Sequence, residues 1–370
     1  MKNIVYIGMD VHKETFNLCA LDGATGEILG EARCASDVKL VKKFIDKIAG
    51  KHEEEVQFKA GYEAGCLGYS LHNLLEQQGI NCDILAPTTM YSSSKNKVVK
   101  NDRLDAKMIA LNLANNTYKA VYVPDDEDIS VKEYIRMMDD FKTSLKKIKQ
   151  QIKAFLLRHG LKYEGKSSWT IAHMNWLKKL ELTVLLKETL EEYLLQYDVL
   201  TDKIERFSQR IEELSHQERY EEPVAQLRCL KSIDTTAAMT IHVEISDFTR
   251  FSNAKTFTAY LGLTPSEQSS GEKVNRNGIT KQGNSTVRST LVECANALVK
   301  GTIGIKAKRV KARQKGQESK VIAYADQAIE RLQRKYHRMI YQGKPRNVAI
   351  TAIARELACF IWGMETQKMI

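Results

Sequence analysis

The tightest constraint on the fold lies within the first 34 residues. "IVYIGMD" (4–10), "ETFNLCAL" (14–21) and "ILGEARC" (28–34) read as three short strands, the first two separated by a tight connection and the second pair by the turn "DGATGE". Connections this short join antiparallel neighbours, because a parallel pair needs a crossover of a dozen or more residues. The texture then changes. "DVKLVKKFIDKIAG" carries Val38, Val41, Ile45 and Ile48 at helical spacing and stops at Gly50. "EVQFKAGYE" alternates, with Val56, Phe58, Ala60 and Tyr62 on one face and Glu63 at its end. A helix over "LGYSLHNLLEQQG", a strand over "NCDILAP" and a helix opening in "KNDRLDAKMIALNL" (100–113) complete the run.

The order β-β-β-α-β-α-β, followed by a helix, is that of the ribonuclease-H-like fold. In such a sheet Asp10 ends the first strand, Glu63 ends the fourth, and Asp102 and Asp105 lie on a helix packed beside them. Acidic residues three apart at a helix start have an ordinary explanation, since they meet the positive end of the macrodipole. Four acids from distant parts of the chain need more. Clustered carboxylates resist ionisation unless cations neutralise them, and all-oxygen sites suit Mg²⁺ or Mn²⁺. Two such ions about 3.5–4 Å apart can clamp the attacking and leaving oxygens of a phosphodiester.

Beyond "VYVPDDEDIS" the sequence turns helical. Residues 129–217 carry apolar side chains three and four apart, lack Pro and confine Gly to a break near 160–165, which predicts two long antiparallel helices, a coiled-coil arm. The first is studded with Lys142, Lys146, Lys147, Lys149, Lys153 and Arg158: a solvated face, a surface that tracks phosphates, or an arm that dimerises through its apolar stripe. Pro223 marks a boundary. After it come a helix, a turn and two further helices, then the polar "SEQSSGEKVNRNGITKQGNS", then helices to the C-terminus. The expected organisation is a mixed α/β domain over 1–125, the helical arm over 126–222 and a mainly helical domain over 223–370. The polar loop holds Ser266, Ser269 and Ser270 among Lys273, Arg276, Lys281 and several glycines. Serine beside glycine is common turn chemistry. A serine among cations is also placed where a phosphate would sit, and a hydroxyl attacks phosphorus once it is activated.

A formal net charge of +10 makes the chain a candidate polyanion binder, because Lys and Arg set against phosphates release condensed counterions. The candidates for nucleic-acid contact are Lys100, Arg103, Lys146, Lys147, Lys149, Lys153, Arg158, Lys273, Arg276, Lys281, Arg288, Lys308 and Arg309. The seven cysteines form no C-x-x-C pair and suit neither a disulfide framework nor a zinc site. The eight histidines are dispersed. His12 near Asp10 comes closest to a ligand set and is expected to be a surface residue. No run approaches the roughly 18 apolar residues of a membrane span, and the N-terminus lacks a signal-peptide pattern. A cytoplasmic location is expected, with nucleoid association during action.

"YIGMDVHKETFNL", "AGYEA", "KNDRLDAKMIA" and "YLGLTPSEQSSG…NGITKQGNSTVR" together resemble the IS110 family of insertion-sequence transposases, relatives of the Piv-type DNA invertases. The resemblance implies a RuvC-like domain with a Mg²⁺-binding D-E-D-D tetrad, here Asp10, Glu63, Asp102 and Asp105, and a nucleophilic serine, here Ser270, with Ser269 its neighbour. It implies a site-specific recombinase that joins its serine to a DNA 5′ phosphate under the guidance of a structured bridge RNA. It also implies an active site assembled between protomers of a dimer or tetramer. Two positions depart from the family pattern. "SIDTTAA" (232–238) replaces a glycine-bearing I-P-G-I-G hairpin, and Asn101 replaces Thr before the third acid, where it still serves as a helix cap. Competing readings are a two-metal nuclease or Holliday-junction resolvase that leaves Ser270 a loop residue, an actin-like ATPase, whose phosphate loops are not visible in the sequence, and a non-catalytic nucleic-acid-binding scaffold.

Overall fold

The computed structural model describes residues 4–52, 56–65, 67–91, 101–267 and 276–369, and the chain divides into two compact units, Met1–Pro124 and Asp125–Ile370. The first unit contains β1 (Ile4–Val11), β2 (Thr15–Asp22), β3 (Ile28–Ala35), α1 (Val38–Ala49), β4 (Gln57–Glu63), α2 (Ser70–Gln77), β5 (Cys82–Leu85) and α3 (Asp102–Ala114). The sheet order is β3-β2-β1-β4-β5. β1, β2 and β3 pair antiparallel, while β4 runs parallel to β1 and β5 parallel to β4. Short connections gave antiparallel neighbours and helical crossovers gave parallel ones, consistent with the ribonuclease-H-like order expected.

Side-chain alternation divides this sheet into two unequal faces. Val5, Ile7 and Met9 of β1 point into a core closed by Val41, Ile45 and Ile48 of α1 and by Leu71 and Leu75 of α2. The opposite face takes α3, which packs Ala106 and Ala110 against Cys19 and Leu21 and Ile109 and Leu113 against Leu85. Small residues bring helix and sheet together. A Cβ at Gly8 would fall inside 3.0 Å of the Ala106 carbonyl oxygen and of the Ala110 amide nitrogen and Cα, all of them backbone atoms of α3. The helix therefore rests on the bare backbone of β1. Asn101 starts it, its side-chain carbonyl accepting from the Arg103 amide at 3.0 Å.

The second unit is mainly helical. α4 (Asp126–Arg158) and α6 (Val184–Ser215) form the expected antiparallel pair: Phe141 meets Phe207 with ring centroids 5.1 Å apart, and Phe155 meets Tyr193 at 6.4 Å, so the chain advances along one helix as it retreats along the other. Their root shares a core with the rest of the unit, with Val131, Ile135, Met138 and Ile211 in one buried cluster with Leu227, Ile241 and Ile353. At the far end a short helix, α5 (Ile171–Lys178), folds into a separate cluster with Ile152, Phe155, Leu190 and Leu194. This helix was not foreseen, because glycines near 160–165 read as a simple turn.

The remaining elements are α7 (Glu218–Leu227), α8 (Thr235–Ile245), α9 (Ala254–Tyr260), β6 (Pro265–Glu267), β7 (Arg276–Ile279), α10 (Ser285–Leu298), α11 (Lys308–Gln314), α12 (Ser319–Tyr341) and α13 (Arg346–Glu365). Pro223, read as a boundary, lies inside α7. A helix-interior proline costs about 3 kcal/mol or more, and burial of Tyr220, Val224 and Leu227 on the same helix offsets it. α13 is, among the described residues, the one helix long and apolar enough to cross a membrane. Ile353, Ala354, Leu357, Ala358 and Ile361 on it are wholly enclosed in the core of this unit.

The packing at Gly8 predicts that Gly8→Val destabilises the first unit by 3 kcal/mol or more, on the order of severe overpacking, whereas Gly50→Ala, whose added methyl meets only ordinary contacts, leaves stability within about 1 kcal/mol. Chemical denaturation of the two variants checks this. Equal stabilities would mean that helix and strand are not packed this closely.

Candidate active site

Gly8 and Gly61 are register partners on the parallel strands β1 and β4. Added side chains at both would meet α3, through Ala106 and Ala110 at Gly8 and through Leu113 at Gly61. Two residues further along each strand, on the same face, stand Asp10 and Glu63. α3 starts at this edge of the sheet, so its first turn delivers Asp102 and Asp105 there. The tight turn after β1, closed by the His12 amide bonding to the Thr15 carbonyl at 3.0 Å, returns His12 to the same place.

The donors of Asp10, His12 and Asp102 lie within 4.8 Å of one another. His12 Nε2 stands 3.2 Å from Asp10 Oδ2 and 3.9 Å from Asp102 Oδ2. Asp10 Oδ2 is buried and receives no aligned hydrogen bond. Burial raises the Asp10 carboxyl above its ordinary range; His12 opposes this, and the negative charges of Asp102 and Asp105 push it further up. A partly buried carboxylate beside two more acids and an imidazole is a donor set that fits a divalent cation. Asp105 is half-buried and acts on Asp10 electrostatically. Glu63 is exposed at the end of β4 and stands outside the three-residue cluster. His12 is exposed, as its sequence position predicts, and its nearness to Asp102 as well as to Asp10 is what the sequence does not reveal.

The other nominated residues have varied surroundings. Arg103 forms an ion pair with Glu31 of β3 and ties the first turn of α3 to the sheet. On the arm, Lys149 Nζ lies 5.6 Å from the Trp169 ring centre and 5.5 Å from that of Tyr197, and Lys153 Nζ lies 6.0 Å from Trp169, cation–π contacts that occupy both head groups. Lys146, Lys147 and Arg158 are exposed, as are Lys281, Lys308 and Arg309. Lys100, Lys273, Ser269 and Ser270 lie outside the described residues, and of Arg276 only the backbone, in β7, is described.

The serine segment is flanked by an antiparallel pair that the sequence did not suggest: β6 meets β7 with Pro265 opposite Ile279 and Glu267 opposite Arg276. Its base is cinched by backbone contacts. Gly262 and Gly283 both have positive φ, +64° and +70°, and added side chains there would strike the Gln282 backbone and the Tyr260 carbonyl. Arg288 Nη1 donates to the carbonyls of Leu261 and Gln282 at 2.9 and 3.0 Å, so this arginine staples the two ends of the segment. Asn284, the cap of α10, donates to Glu244 Oε2 at 2.7 Å, and Arg136 of α4 reaches the same buried carboxylate with Nε at 2.8 Å. Ser232, at the start of the glycine-free hairpin, holds φ +81°, and its hydroxyl donates to the Cys294 carbonyl at 2.7 Å.

Two family models and several relatives match the chain. Residues 7–160 match the model of DEDD transposases of the IS110 type, described as "Transposase", and residues 224–309 match the model described as "Transposase IS116/IS110/IS902 family". A putative transposase, y4qE, of Sinorhizobium fredii is 34% identical over 368 residues, covering 97% of this chain and 88% of that protein. The transposase for insertion sequence element IS1533 of Leptospira borgpetersenii is 32% identical over 345 residues, covering 92% of this chain and 97% of that protein. The transposase for IS1111A of Coxiella burnetii is 23% identical over 378 residues.

A raised carboxyl in the folded state means that the folded form holds its proton more tightly than the unfolded chain. The contribution of Asp10 to stability is thus fully present at acid pH and is lost as pH rises from the unfolded value through the folded one. At neutral pH its ionised form is a net cost. Asp10→Asn is therefore expected to raise the melting temperature in the presence of chelator, by roughly 2–4 °C per kcal/mol relieved. A divalent cation should raise the melting temperature of the wild type and leave that of Asp10→Asn nearly unchanged. Scanning calorimetry with EDTA and with Mn²⁺ measures both. A wild type indifferent to cations would contradict the reading.

Proposed function

The chain belongs to the IS116/IS110/IS902 family of transposases, enzymes of DNA recombination encoded by insertion sequences, and on that premise we propose a route by which it cleaves and rejoins DNA. The first unit acts as a RuvC-like domain in which Asp10, Glu63, Asp102 and Asp105 hold Mg²⁺ or Mn²⁺. The observation that carries this is the cluster of Asp10, His12 and Asp102, whose donor atoms lie within 4.8 Å of one another, with Asp105 acting electrostatically on the partly buried Asp10 carboxyl. When bound, the cations supply charge neutralisation at the phosphate undergoing displacement.

The chain's own part is positioning. The first turn of α3 sets Asp102 and Asp105 against Asp10, and the Gly262–Gly283 crossing with Arg288 fixes both ends of the segment that carries Ser270. The Ser270 hydroxyl attacks a DNA phosphodiester: the Oγ–P bond forms as the P–O3′ bond breaks, the hydroxyl proton leaves, and the departing 3′ oxygen takes up a proton. Backbone amides and cations facing the phosphate are the usual means of stabilising the charge that develops. The phosphoseryl ester keeps the energy of the broken bond for rejoining to a second strand.

A structured bridge RNA selects donor and target DNA. The support is electrostatic: a net charge of +10 with exposed Lys146, Lys147 and Arg158 along the arm and Lys308 and Arg309 near α11 suits a long phosphate backbone. The protein works in the cytoplasm, on the nucleoid, as a homodimer or homotetramer in which the carboxylates of one protomer serve the serine of another.

Denaturing gels of the protein with its copurifying RNA and labelled DNA are expected to show a protein–DNA adduct that vanishes in Ser270→Ala and persists in Ser269→Ala. Asp102→Asn and Asp105→Asn should each lower cleavage at least 100-fold, on the scale of lost metal-site chemistry. Mixing Ser270→Ala with Asp102→Asn protomers should restore part of the adduct. Normal cleavage by Ser270→Ala without any adduct would instead make the chain a two-metal nuclease or junction resolvase.

A further inference from the structure

We propose that His12 is a ligand of the cation site, which makes the site a mixed nitrogen–oxygen set selective for Mn²⁺ over Mg²⁺. The proposal rests on the reading of Asp10 and Asp102 as metal-binding acids and adds a donor of a different kind to them. Three observations carry it. His12 Nε2 faces both carboxylates, 3.2 Å from Asp10 and 3.9 Å from Asp102, so it borders the volume that any ion between them would occupy. The donor atoms of His12, Asp10 and Asp102 all lie within 4.8 Å of one another, close enough for one ion to touch all three. The His12 backbone is pinned by its bond to the Thr15 carbonyl, which holds the ring at the strand end and limits the reach it must search.

Donor chemistry then sets the selectivity. Mg²⁺ prefers an all-oxygen shell and retains waters, whereas an imidazole nitrogen shifts preference toward Mn²⁺ and the later divalent ions. A surface histidine pairing with a carboxylate would serve equally well as any cationic side chain and would show no preference among ions. A ligand histidine would. Asp105 and Glu63 are the further acids at this end of the sheet that would complete the oxygen part of the shell.

The test is pulsed electron paramagnetic resonance on the full-length protein loaded with substoichiometric Mn²⁺, without nucleic acid. The expected result is nitrogen modulation from one directly bound ¹⁴N in the wild type. In His12→Gln the modulation should disappear while Mn²⁺ stays bound, with affinity reduced about 10–100-fold, the range seen when support of a metal site is removed. Competition by Mg²⁺ should then become more effective relative to the wild type. Asp10→Asn serves as the second variant and should weaken both ions together. Bound Mn²⁺ without nitrogen modulation in the wild type would overturn the His12 proposal while leaving the carboxylate site standing. Modulation that survives in His12→Gln would overturn it by pointing to another nitrogen donor. Failure of the wild type to bind Mn²⁺ stoichiometrically would overturn both.

Discussion

Helix α3 lies against β1 with no side chain between them at Gly8, and the candidate site follows from that contact. Because a methyl there would collide with the backbone of Ala106 and Ala110, the helix approaches as closely as two backbones permit. Its first turn then overhangs the end of β1, where Asp102 and Asp105 meet Asp10. Dense packing makes such a contact close to all-or-none: a core at crystal-like density cannot yield by an ångström without losing other contacts. The acids repel, and burial raises the Asp10 carboxyl, so the fold holds a constellation that is electrostatically costly at neutral pH. Hydrophobic packing of Ile109, Ala110 and Leu113 holds it in place. Local strain maintained by surrounding packing is what a preorganised site requires.

Much of the first unit was legible because connection length dictates strand direction. Every strand and helix expected before residue 115 forms, with boundaries shifted by one to three residues, and the positions of Asp10, Glu63, Asp102 and Asp105 at one edge of the sheet follow from the element order. The role of Gly8 was not legible. In sequence it is a glycine inside a strand, and only the packing partner reveals what it admits. His12 is exposed, as expected; its nearness to Asp102 was not legible, because a histidine after a strand has no periodic signal and that acid lies on a helix ninety residues away.

The second unit was read more coarsely. Periodicity identified the long helices of the arm, because a repeat sustained over many turns outweighs local noise. It could not identify α5, whose eight residues fold onto a cluster built by the ends of two other helices. Pro223 misled because tertiary burial on α7 outweighs the local rule. The polar stretch around Ser270 hid an antiparallel pair of only three and four residues, too short to alternate visibly, and the function of Arg288 as a staple depends on carbonyls that no pattern shows. Buried Glu244, joining Arg136 of the arm to Asn284 at the exit of the serine segment, was likewise out of reach, since a lone glutamate on an apolar helix reads as a surface residue.

On the proposed reading, close packing at Gly8 brings the acids of α3 to Asp10 so that they hold a divalent cation. Anomalous diffraction from crystals equilibrated with Mn²⁺ addresses it most directly. The expected result is a manganese peak at the end of β1, with Asp10 and Asp102 among its ligands, and no such peak in Asp10→Asn crystals of the same form. Manganese bound elsewhere on the chain, or no peak while the carboxylates keep their positions, would contradict it.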